Sequence, residues 1–196
     1  MRNLELKVRC ENEEKFRVIE WLAQEHGAIY MRTMKQRDTY FRVRQGRLKL
    51  REWWLEEPES FPLIKRSGHT EAEHEDELAG AELIYYKRPN KVGSRISDYD
   101  VKPELEPESL RSMLTKALRG TLVVVEKIRV LYEFGRTRIH LDTVKGLGTF
   151  VELETIIGKA TSLEDAKTEH QIVITFLGLD ILSPIASSYS DLLIHA

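Results

Sequence analysis

The sequence predicts an α+β protein in which antiparallel β-strands carry flanking helices. Eight segments alternate charged or polar residues with apolar ones at a period of two, which is typical of strands with two different faces. Short turns join most neighbouring segments, and short links favour antiparallel pairing in a meander or a barrel. Three further segments have helical spacing and capping residues; two lie between strands and one follows the last strand.

The strand pattern runs through most of the chain. The predicted strands are 3–8, 38–44, 47–54, 83–88, 95–101, 122–134, 138–144 and 149–156. Gln45-Gly46, Phe134-Gly135-Arg136 and Gly146-Leu147-Gly148 separate neighbouring segments as tight turns. These turns predict hairpins, so the segments on either side should pair with each other.

Each predicted helix has a recognisable beginning. Asn12 is suited to cap the first helix, which Gly27 ends, and Pro107 opens the second. Ser162 and Asp165 resemble a capping pair for the third. The apolar residues of all three recur at helical spacing, which predicts faces packed on the protein core.

Length and composition limit the class of protein. With 196 residues the chain suits one domain, 1–196, that can bury a substantial core. Its 30 basic and 32 acidic residues give a net charge of −2, and this balance provides no general basic field for duplex nucleic acid. No apolar run approaches the length of about 18 residues that a membrane span needs, so no membrane partner is expected.

The single cysteine and the first residues indicate the cellular compartment of the protein. Cys10 has no second cysteine with which to form an internal disulfide. The segment after Met1 is charged where a signal peptide would be apolar. We therefore expect a reduced, cytoplasmic protein.

The segment around 56–82 is unlike the rest of the chain. It contains the run Glu71-Ala72-Glu73-His74-Glu75-Asp76-Glu77, which has too little apolar area to order itself. The composition favours a flexible acidic insertion in the domain over a metal site built on His69 and His74. A long loop beside a site could also act as a lid.

The charged positions of the strands admit two interpretations. Residues two apart share a face, so the face is either solvated or lines a binding site. Nearly all its polar positions are ionic, and Glu152 and Glu154 place like charges together without a sequence-local cation. Cations and carboxylates lie mostly on different strands, which is the arrangement needed to bind a polyanion through a divalent metal. The positions are Glu5, Lys7, Arg47, Lys49, Arg51, Lys127, Arg129, Arg138, His140, Asp142, Glu152 and Glu154.

Several motifs in order along the chain resemble the CYTH superfamily, also called triphosphate tunnel metalloenzymes. The most specific stretch runs from Ile139-His140-Leu141-Asp142 to Gly146-Leu147-Gly148-x-Phe150-x-Glu152-x-Glu154. The tail Ser188-Tyr189-x-Asp191-Leu192-Leu193 is similar to the class IV adenylyl cyclase-like subgroup. The remaining motifs are Asn3-Leu4-Glu5-Leu6-Lys7, Asp38-x-Tyr40-Phe41, Leu48-Lys49-Leu50-Arg51, Tyr86-Lys87-Arg88-Pro89, Arg95-x-Ser97-x-Tyr99 and Glu126-Lys127-x-Arg129.

The resemblance implies an eight-stranded antiparallel closed barrel whose ionic face points into a tunnel. It also implies a metal cofactor, Mg²⁺ or Mn²⁺, because these ions prefer carboxylate and phosphate oxygens. The expected metal ligands are Glu5, Asp142, Glu152 and Glu154. The expected catalytic residues are Glu5, Lys7, Glu152 and Glu154. The expected triphosphate-binding residues are Lys7, Lys49, Arg51, Lys87, Lys127, Arg129 and Arg138.

The implied partner is a small-molecule triphosphate. The expected activity is that of a class IV adenylyl cyclase, which converts ATP to cyclic AMP and pyrophosphate. Two alternatives remain open: a triphosphatase acting on thiamine triphosphate or tripolyphosphate, and a non-catalytic module that binds organic phosphates. Asn3 replaces the first Glu of the family's opening motif, which would weaken a second metal site. Whether two copies form a homodimer is left open by the sequence.

Overall fold

The chain forms a closed barrel of eight antiparallel strands. The computed structural model describes residues 2–56, 77–87, 90–158 and 162–195. The strands follow one another around the barrel in the order β1-β5-β4-β3-β2-β6-β7-β8, and β8 pairs with β1 to close it. They are β1 (Arg2–Arg9), β2 (Ile29–Phe41), β3 (Arg47–Glu56), β4 (Gly80–Lys87), β5 (Arg95–Pro103), β6 (Thr121–Phe134), β7 (Thr137–Val144) and β8 (Gly148–Ile156). The predicted α+β fold with a closed eight-stranded barrel is confirmed.

Four helices flank the barrel. The predicted caps are present, since the Asn12 side chain accepts a hydrogen bond from the Lys15 amide at 2.8 Å, and the Ser162 hydroxyl accepts one from the Asp165 amide at 3.0 Å. Pro107 is the first residue of the second helix. The helices are α1 (Glu13–Glu25), α2 (Pro107–Ala117), α3 (Leu163–Phe176) and α4 (Tyr189–Ile194), with a 3₁₀ turn at Leu179–Ile181. The last helix, α4, was not among the three predicted from periodicity.

Strand β2 is longer than the sequence pattern predicts. It begins at Ile29 rather than at residue 38, and it ends at Phe41 rather than at residue 44. The pairing of β2 with β6 shifts register between Tyr30 and Arg32, where the strand contains a bulge. The extra residue breaks the alternation of faces near residue 31. Residues 32–37 are polar on both faces except for Met34, so the sequence shows no clear period of two there.

The apolar faces of β1, β7 and β8 point outward and pack beneath α1 and α3. Their side chains form one buried cluster with those of the two helices. Burial of each large aliphatic side chain contributes about 1.5–3 kcal/mol to stability. The charged residues of the same strands therefore face inward. The cluster includes Leu6, Val8, Ile19, Ala23, Ile139, Leu141, Val151, Leu153, Val173 and Leu177.

The turn between β2 and β3 depends on Gly46. Its φ is +70°, and a Cβ there would lie 2.8 Å from both the Tyr85 hydroxyl and the Tyr86 carbonyl oxygen. Only glycine fits this close approach of the turn to β4. The predicted acidic insertion around 56–82 lies, apart from its two ends, outside the described residues. Among the residues that the structure describes, no helix combines the length and the apolar character needed to cross a membrane.

Candidate functional site

The inward faces of the strands line a cavity of about 160 Å³ inside the barrel. All eight strands contribute side chains to this lining. Within a strand the lining residues are two apart, because such residues point to the same side. Most of the lining side chains are ionic, and most are buried. The charged lining residues are Glu5, Lys7, Asp38, Lys49, Arg51, Glu82, Lys127, Arg129, Arg138, Glu152 and Glu154.

Asp38 of β2 lies at the centre of a group of cations. Its carboxylate accepts hydrogen bonds from Lys49 Nζ at 2.9 Å, from Arg51 Nε at 2.7 Å and from Lys127 Nζ at 3.0 Å. Burial opposes ionisation of this carboxyl, but the three cations outweigh burial and hold the pKa of Asp38 well below its ordinary value. Three positive charges thus face a single buried carboxylate. We call Lys49, Arg51 and Lys127 the cation cluster.

The two lysines of the cation cluster are weaker bases than ordinary lysines. Burial, followed by repulsion from Arg51, lowers the pKa of Lys49 to about 7. Burial also lowers the pKa of Lys127 to about 8, despite attraction from Asp38. An anion bound beside them would favour their charged forms. The cluster is therefore suited to hold a polyanion.

Arg129 of β6 binds two buried carboxylates, those of Asp142 and Glu152. Its Nε and Nη2 atoms each lie 2.6 Å from an oxygen of Asp142, and Nη2 also donates to Glu152 at 3.0 Å. The Tyr189 hydroxyl donates to the same Asp142 carboxylate at 2.8 Å. Asp142 is fully buried, and its carboxylate accepts hydrogen bonds from both of these side chains. The expected ligand Asp142 thus holds Arg129 in place and does not line the cavity.

Three potential metal ligands come together on β7 and β8. One ligand atom from each of His140, Glu152 and Glu154 lies within 4.8 Å of the other two. Burial, and next the charge of Glu152, raise the pKa of Glu154. Glu5 lines the same cavity and is paired with Glu154 across β1 and β8. We call His140, Glu152 and Glu154 the ligand group.

The ligand group fits a divalent metal. His140 Nδ1 is buried without a hydrogen-bond partner and lies 3.9 Å from Glu154 Oε1. Burial, with the charge of Arg129 next in importance, holds the pKa of His140 well below its ordinary value, so the imidazole is neutral. A neutral imidazole with an open lone pair, beside two carboxylates, is a suitable donor set for a metal cation.

The C-terminal tail, residues 182–195, covers one end of the tunnel. The Ile185 amide donates to the Lys7 carbonyl oxygen at 2.8 Å, and Arg47 forms an ion pair of 2.7 Å with Asp191. Tyr189 reaches inside, and its ring centre lies 3.7 Å from Lys7 Nζ. An ammonium group over an aromatic face is attracted by the ring. The tail therefore completes the wall at this end and keeps Lys7 in position.

An apolar wall faces the ionic residues. Strands β4 and β5 contribute Ile84, Tyr86, Tyr99 and Val101 to the lining of the cavity. The Tyr99 hydroxyl donates to Asn3 Oδ1 at 3.3 Å, so the amide that replaces the family's first Glu is part of the same wall. We call Ile84, Tyr86, Tyr99 and Val101 the aromatic wall.

Most of the predicted site residues lie together in this cavity, and Lys87 does not. On β4 the residues that line the cavity are Glu82, Ile84 and Tyr86, which places Lys87 on the outer face. Lys87 is exposed, and its ammonium lies 5.9 Å from the ring centre of Tyr85. The predicted residues that line the cavity are Glu5, Lys7, Lys49, Arg51, Lys127, Arg129, Arg138, Glu152 and Glu154.

Asp38 and Tyr189 received no role from the sequence, and His140 was placed on the ionic face without a specific one. Asp38 and Tyr189 occur in the quoted motifs, but the ion pair of Asp38 with Lys127 and the hydrogen bond of Tyr189 to Asp142 join residues far apart in the chain. His140 shares the alternating pattern of Arg138 and Asp142, which places it with them on the ionic face, but the pattern does not show that it lies beside two carboxylates. Their roles depend on which strands become neighbours when the barrel closes.

Comparison with known proteins identifies the family. The profile of the CYTH domain matches residues 1–189. The chain belongs to the CYTH family. Most CYTH members are enzymes that act on triphosphates, and the tunnel enzymes among them depend on metal. Comparison with the curated proteins gives no match.

Solved structures share this CYTH fold at low sequence identity. The PH1012 protein of Pyrococcus horikoshii superposes with a TM-score of 0.70 at 21% identity, over 97% of this chain and 98% of that one. A candidate adenylate cyclase from Vibrio parahaemolyticus gives 0.61 at 17% identity, over 97% of both chains. A chain of the Schizosaccharomyces pombe Mediator head module gives 0.61 at 13% identity, over 94% of this chain and 98% of that one. These likenesses establish the fold, and the chemistry has to be argued from the site.

Proposed function

We propose that this CYTH protein is a divalent-metal-dependent enzyme that binds a triphosphate in the tunnel and acts on it. The observation that carries the proposal is that the cation cluster lines the same cavity as Glu152 and Glu154, two members of the ligand group. A site that only bound anions would gain nothing from Glu152 and Glu154, because buried carboxylates repel an anion. The two sets together suit a polyanion held both directly by cations and through a metal.

Each set of side chains has a distinct part in binding. Glu5 and the ligand group would hold Mg²⁺ or Mn²⁺, which when bound neutralises charge on phosphate oxygens. Lys7, Lys127 and Arg138 present positive charge to the phosphates, while Arg129 is held in a fixed orientation by Asp142. These charges are in place before the substrate arrives, so little reorganisation is needed during reaction.

The reaction we favour is cyclisation of ATP to cyclic AMP and pyrophosphate. In this reaction the ribose 3′ hydroxyl attacks the α-phosphorus, and pyrophosphate leaves. The aromatic wall supports this choice, since it offers aromatic and aliphatic faces for a nucleotide base beside the phosphate-binding cations. An inorganic substrate would have no use for such a wall.

Hydrolysis of thiamine triphosphate or tripolyphosphate is the second candidate. The observation that favours it is the size of the cavity, because about 160 Å³ is less than the roughly 300–1,000 Å³ of a typical small-molecule pocket. Such a cavity suits a chain of phosphates better than a whole nucleotide. A non-catalytic module that binds organic phosphates is the third candidate.

Product analysis distinguishes the three candidates. The purified protein is incubated with ATP, 3′-deoxy-ATP, thiamine triphosphate and tripolyphosphate in turn, with Mg²⁺ or Mn²⁺, and the products are separated by chromatography. Cyclisation predicts cyclic AMP and pyrophosphate from ATP and no product from 3′-deoxy-ATP. Release of phosphate from 3′-deoxy-ATP at the ATP rate would replace cyclisation by hydrolysis. Binding of the four compounds without turnover would leave the non-catalytic module.

A further inference from the structure

We propose that His140 is a direct nitrogen ligand of the tunnel metal, together with Glu152 and Glu154, and that the site therefore selects Mn²⁺ over Mg²⁺. The inference deepens the proposed function, on which it rests for the role of the metal in the reaction. Four observations carry it: the position of His140 on β7, the unused lone pair of its Nδ1, the spacing of the ligand group and the engagement of Asp142 elsewhere.

Strand pairing brings His140 to the carboxylates. His140 lies directly opposite Glu152 in the register of β7 and β8, and the next inward pair along the same two strands is Arg138 with Glu154. Side chains at paired positions of adjacent strands point to the same side of the sheet. The histidine therefore faces the ionic interior with the two glutamates, and the closed barrel fixes this arrangement.

The lone pair of His140 Nδ1 lacks a hydrogen-bond partner. The side chain is almost completely buried, and Nδ1 lies 3.9 Å from Glu154 Oε1, which is too far for a hydrogen bond. A buried polar atom without a partner costs about 1–3 kcal/mol. A cation between His140 and Glu154 would satisfy both atoms at once.

The spacing of the group is suited to one ion. Its three ligand atoms lie within 4.8 Å of one another, so that an ion between them reaches all three after small side-chain rotations. The Glu152 carboxylate is already oriented, because Lys7 Nζ lies 3.4 Å from it and Arg129 Nη2 lies 3.0 Å from it. Contacts of this kind fix the direction in which a ligand presents its oxygen.

Asp142 is engaged away from the group. Both of its oxygens are held by Arg129 at 2.6 Å, and the Tyr189 hydroxyl contacts one of them. The donor set that remains is thus the imidazole nitrogen of His140 and the carboxylate oxygens of Glu152 and Glu154. Mg²⁺ strongly prefers oxygen donors, whereas first-row transition metals bind imidazole more readily. The nitrogen ligand therefore makes the site prefer Mn²⁺ to Mg²⁺.

Pulsed electron paramagnetic resonance of the purified protein with Mn²⁺ alone, without triphosphate, tests the assignment. The expected spectrum has ¹⁴N modulation from a directly bound nitrogen, which changes to ¹⁵N coupling when the protein is labelled with ¹⁵N-histidine. His140→Leu should abolish the coupling and weaken Mn²⁺ binding about 10–100-fold, with less than about a threefold change for Mg²⁺. His170→Gln is the matched control, because His170 is a buried histidine that bonds Thr155 and Ser94 outside the cavity.

Several outcomes would overturn the assignment. Mn²⁺ bound without a directly coupled nitrogen would show that His140 is not a ligand, and coupling that survives in His140→Leu would show that the bound nitrogen belongs to another residue. Absence of Mn²⁺ binding would equally overturn it. If His140→Leu fails to fold, two other measurements test the assignment: the change from ¹⁴N to ¹⁵N coupling in the unsubstituted protein labelled with ¹⁵N-histidine, and loss of the nitrogen coupling in Glu154→Gln. Nitrogen coupling in a protein that turns over no triphosphate would reject the proposed function and retain the metal site.

Discussion

At the scale of single residues, Asp38 is the carboxylate that compensates the charge of the cation cluster. It is fully buried and binds three cations that come from β3 and β6. A buried ion pair adds little net stability, but removal of one partner leaves the other charges uncompensated. Loss of Asp38 should therefore destabilise the folded protein strongly.

Asp38→Asn should lower the free energy of unfolding by about 3–5 kcal/mol, because two lysines and one arginine lose their counter-charge. Urea unfolding of the metal-free protein measures this change. Asp98→Asn is the control, since the ion pair of Asp98 with Arg2 is exposed and should be worth less than about 1 kcal/mol. Tripolyphosphate should restore much of the stability of Asp38→Asn. Equal stability of the two variants would contradict the role given to Asp38.

The second residue-scale prediction concerns Glu154. Glu154→Gln preserves size and removes a ligand charge, so turnover of the triphosphate should fall at least about 100-fold, as it does when a transition-state contact is lost. The melting temperature without metal should not fall, because Glu152 and Glu154 repel each other across the buried group. Glu126→Gln on the outer face is the control. A variant that loses activity only because it unfolds would show Glu154 to be structural.

At the scale of elements, the C-terminal tail is held by a capping box and by one aromatic side chain. Ser188 and Asp191 bond each other's backbone amides at the start of α4. Tyr189 packs against Phe150 with ring centres 5.0 Å apart and reaches Asp142 with its hydroxyl. The helix itself is short, so its stability depends on these contacts with the barrel.

Tyr189→Phe should therefore destabilise the protein by about 1 kcal/mol, because Asp142 loses one of its hydrogen bonds and keeps those from Arg129. Tyr30→Phe is the control, since the Tyr30 hydroxyl bonds Thr33 at an exposed position. The control should change stability by less than about 0.5 kcal/mol. Urea unfolding measures the stability of both variants. A Tyr189→Phe variant as stable as the unsubstituted protein would contradict the role given to the Tyr189 hydroxyl.

The contrast between β4 and the other strands explains how far the sequence could predict the site. Where charges alternate regularly, as in Arg47-Leu48-Lys49-Leu50-Arg51, one face is clearly ionic, and the barrel interior could be predicted. In Leu83-Ile84-Tyr85-Tyr86-Lys87 the residues do not alternate, so the sequence could not decide which face Lys87 occupies. The partners of Asp38 lie up to 89 residues away, and no local pattern identifies them.

At the scale of the whole molecule, the buried lysines couple both stability and binding to pH. Their pKa values of about 7 for Lys49 and about 8 for Lys127 lie below the ordinary value of 10.5. Between pH 7 and 9 the unfolded chain thus binds more protons than the folded one, and stability without ligand should rise with pH. Triphosphate needs the charged lysines, so its affinity should fall over the same range.

This opposition can be measured directly. We expect the melting temperature of the free protein to rise from pH 7 to pH 9, while the Kd for tripolyphosphate rises at least about tenfold. Lys49→Met, which removes one titrating group from beside Asp38, should flatten both dependences. If stability and affinity changed with pH in the same direction, the lysines would not be the groups that titrate.

The most direct measurement of the central claim is calorimetric titration of a non-hydrolysable ATP analogue, with Mg²⁺, into three proteins. Lys127→Ala removes a cation that lines the cavity, and Lys87→Ala removes an exposed lysine of the outer face. Relative to the unsubstituted protein, affinity should fall at least about tenfold in Lys127→Ala, because a charge-assisted contact worth about 1.5–3 kcal/mol is lost. Lys87→Ala should bind as the unsubstituted protein does. Equal affinity of all three proteins would show that the triphosphate does not bind in the tunnel.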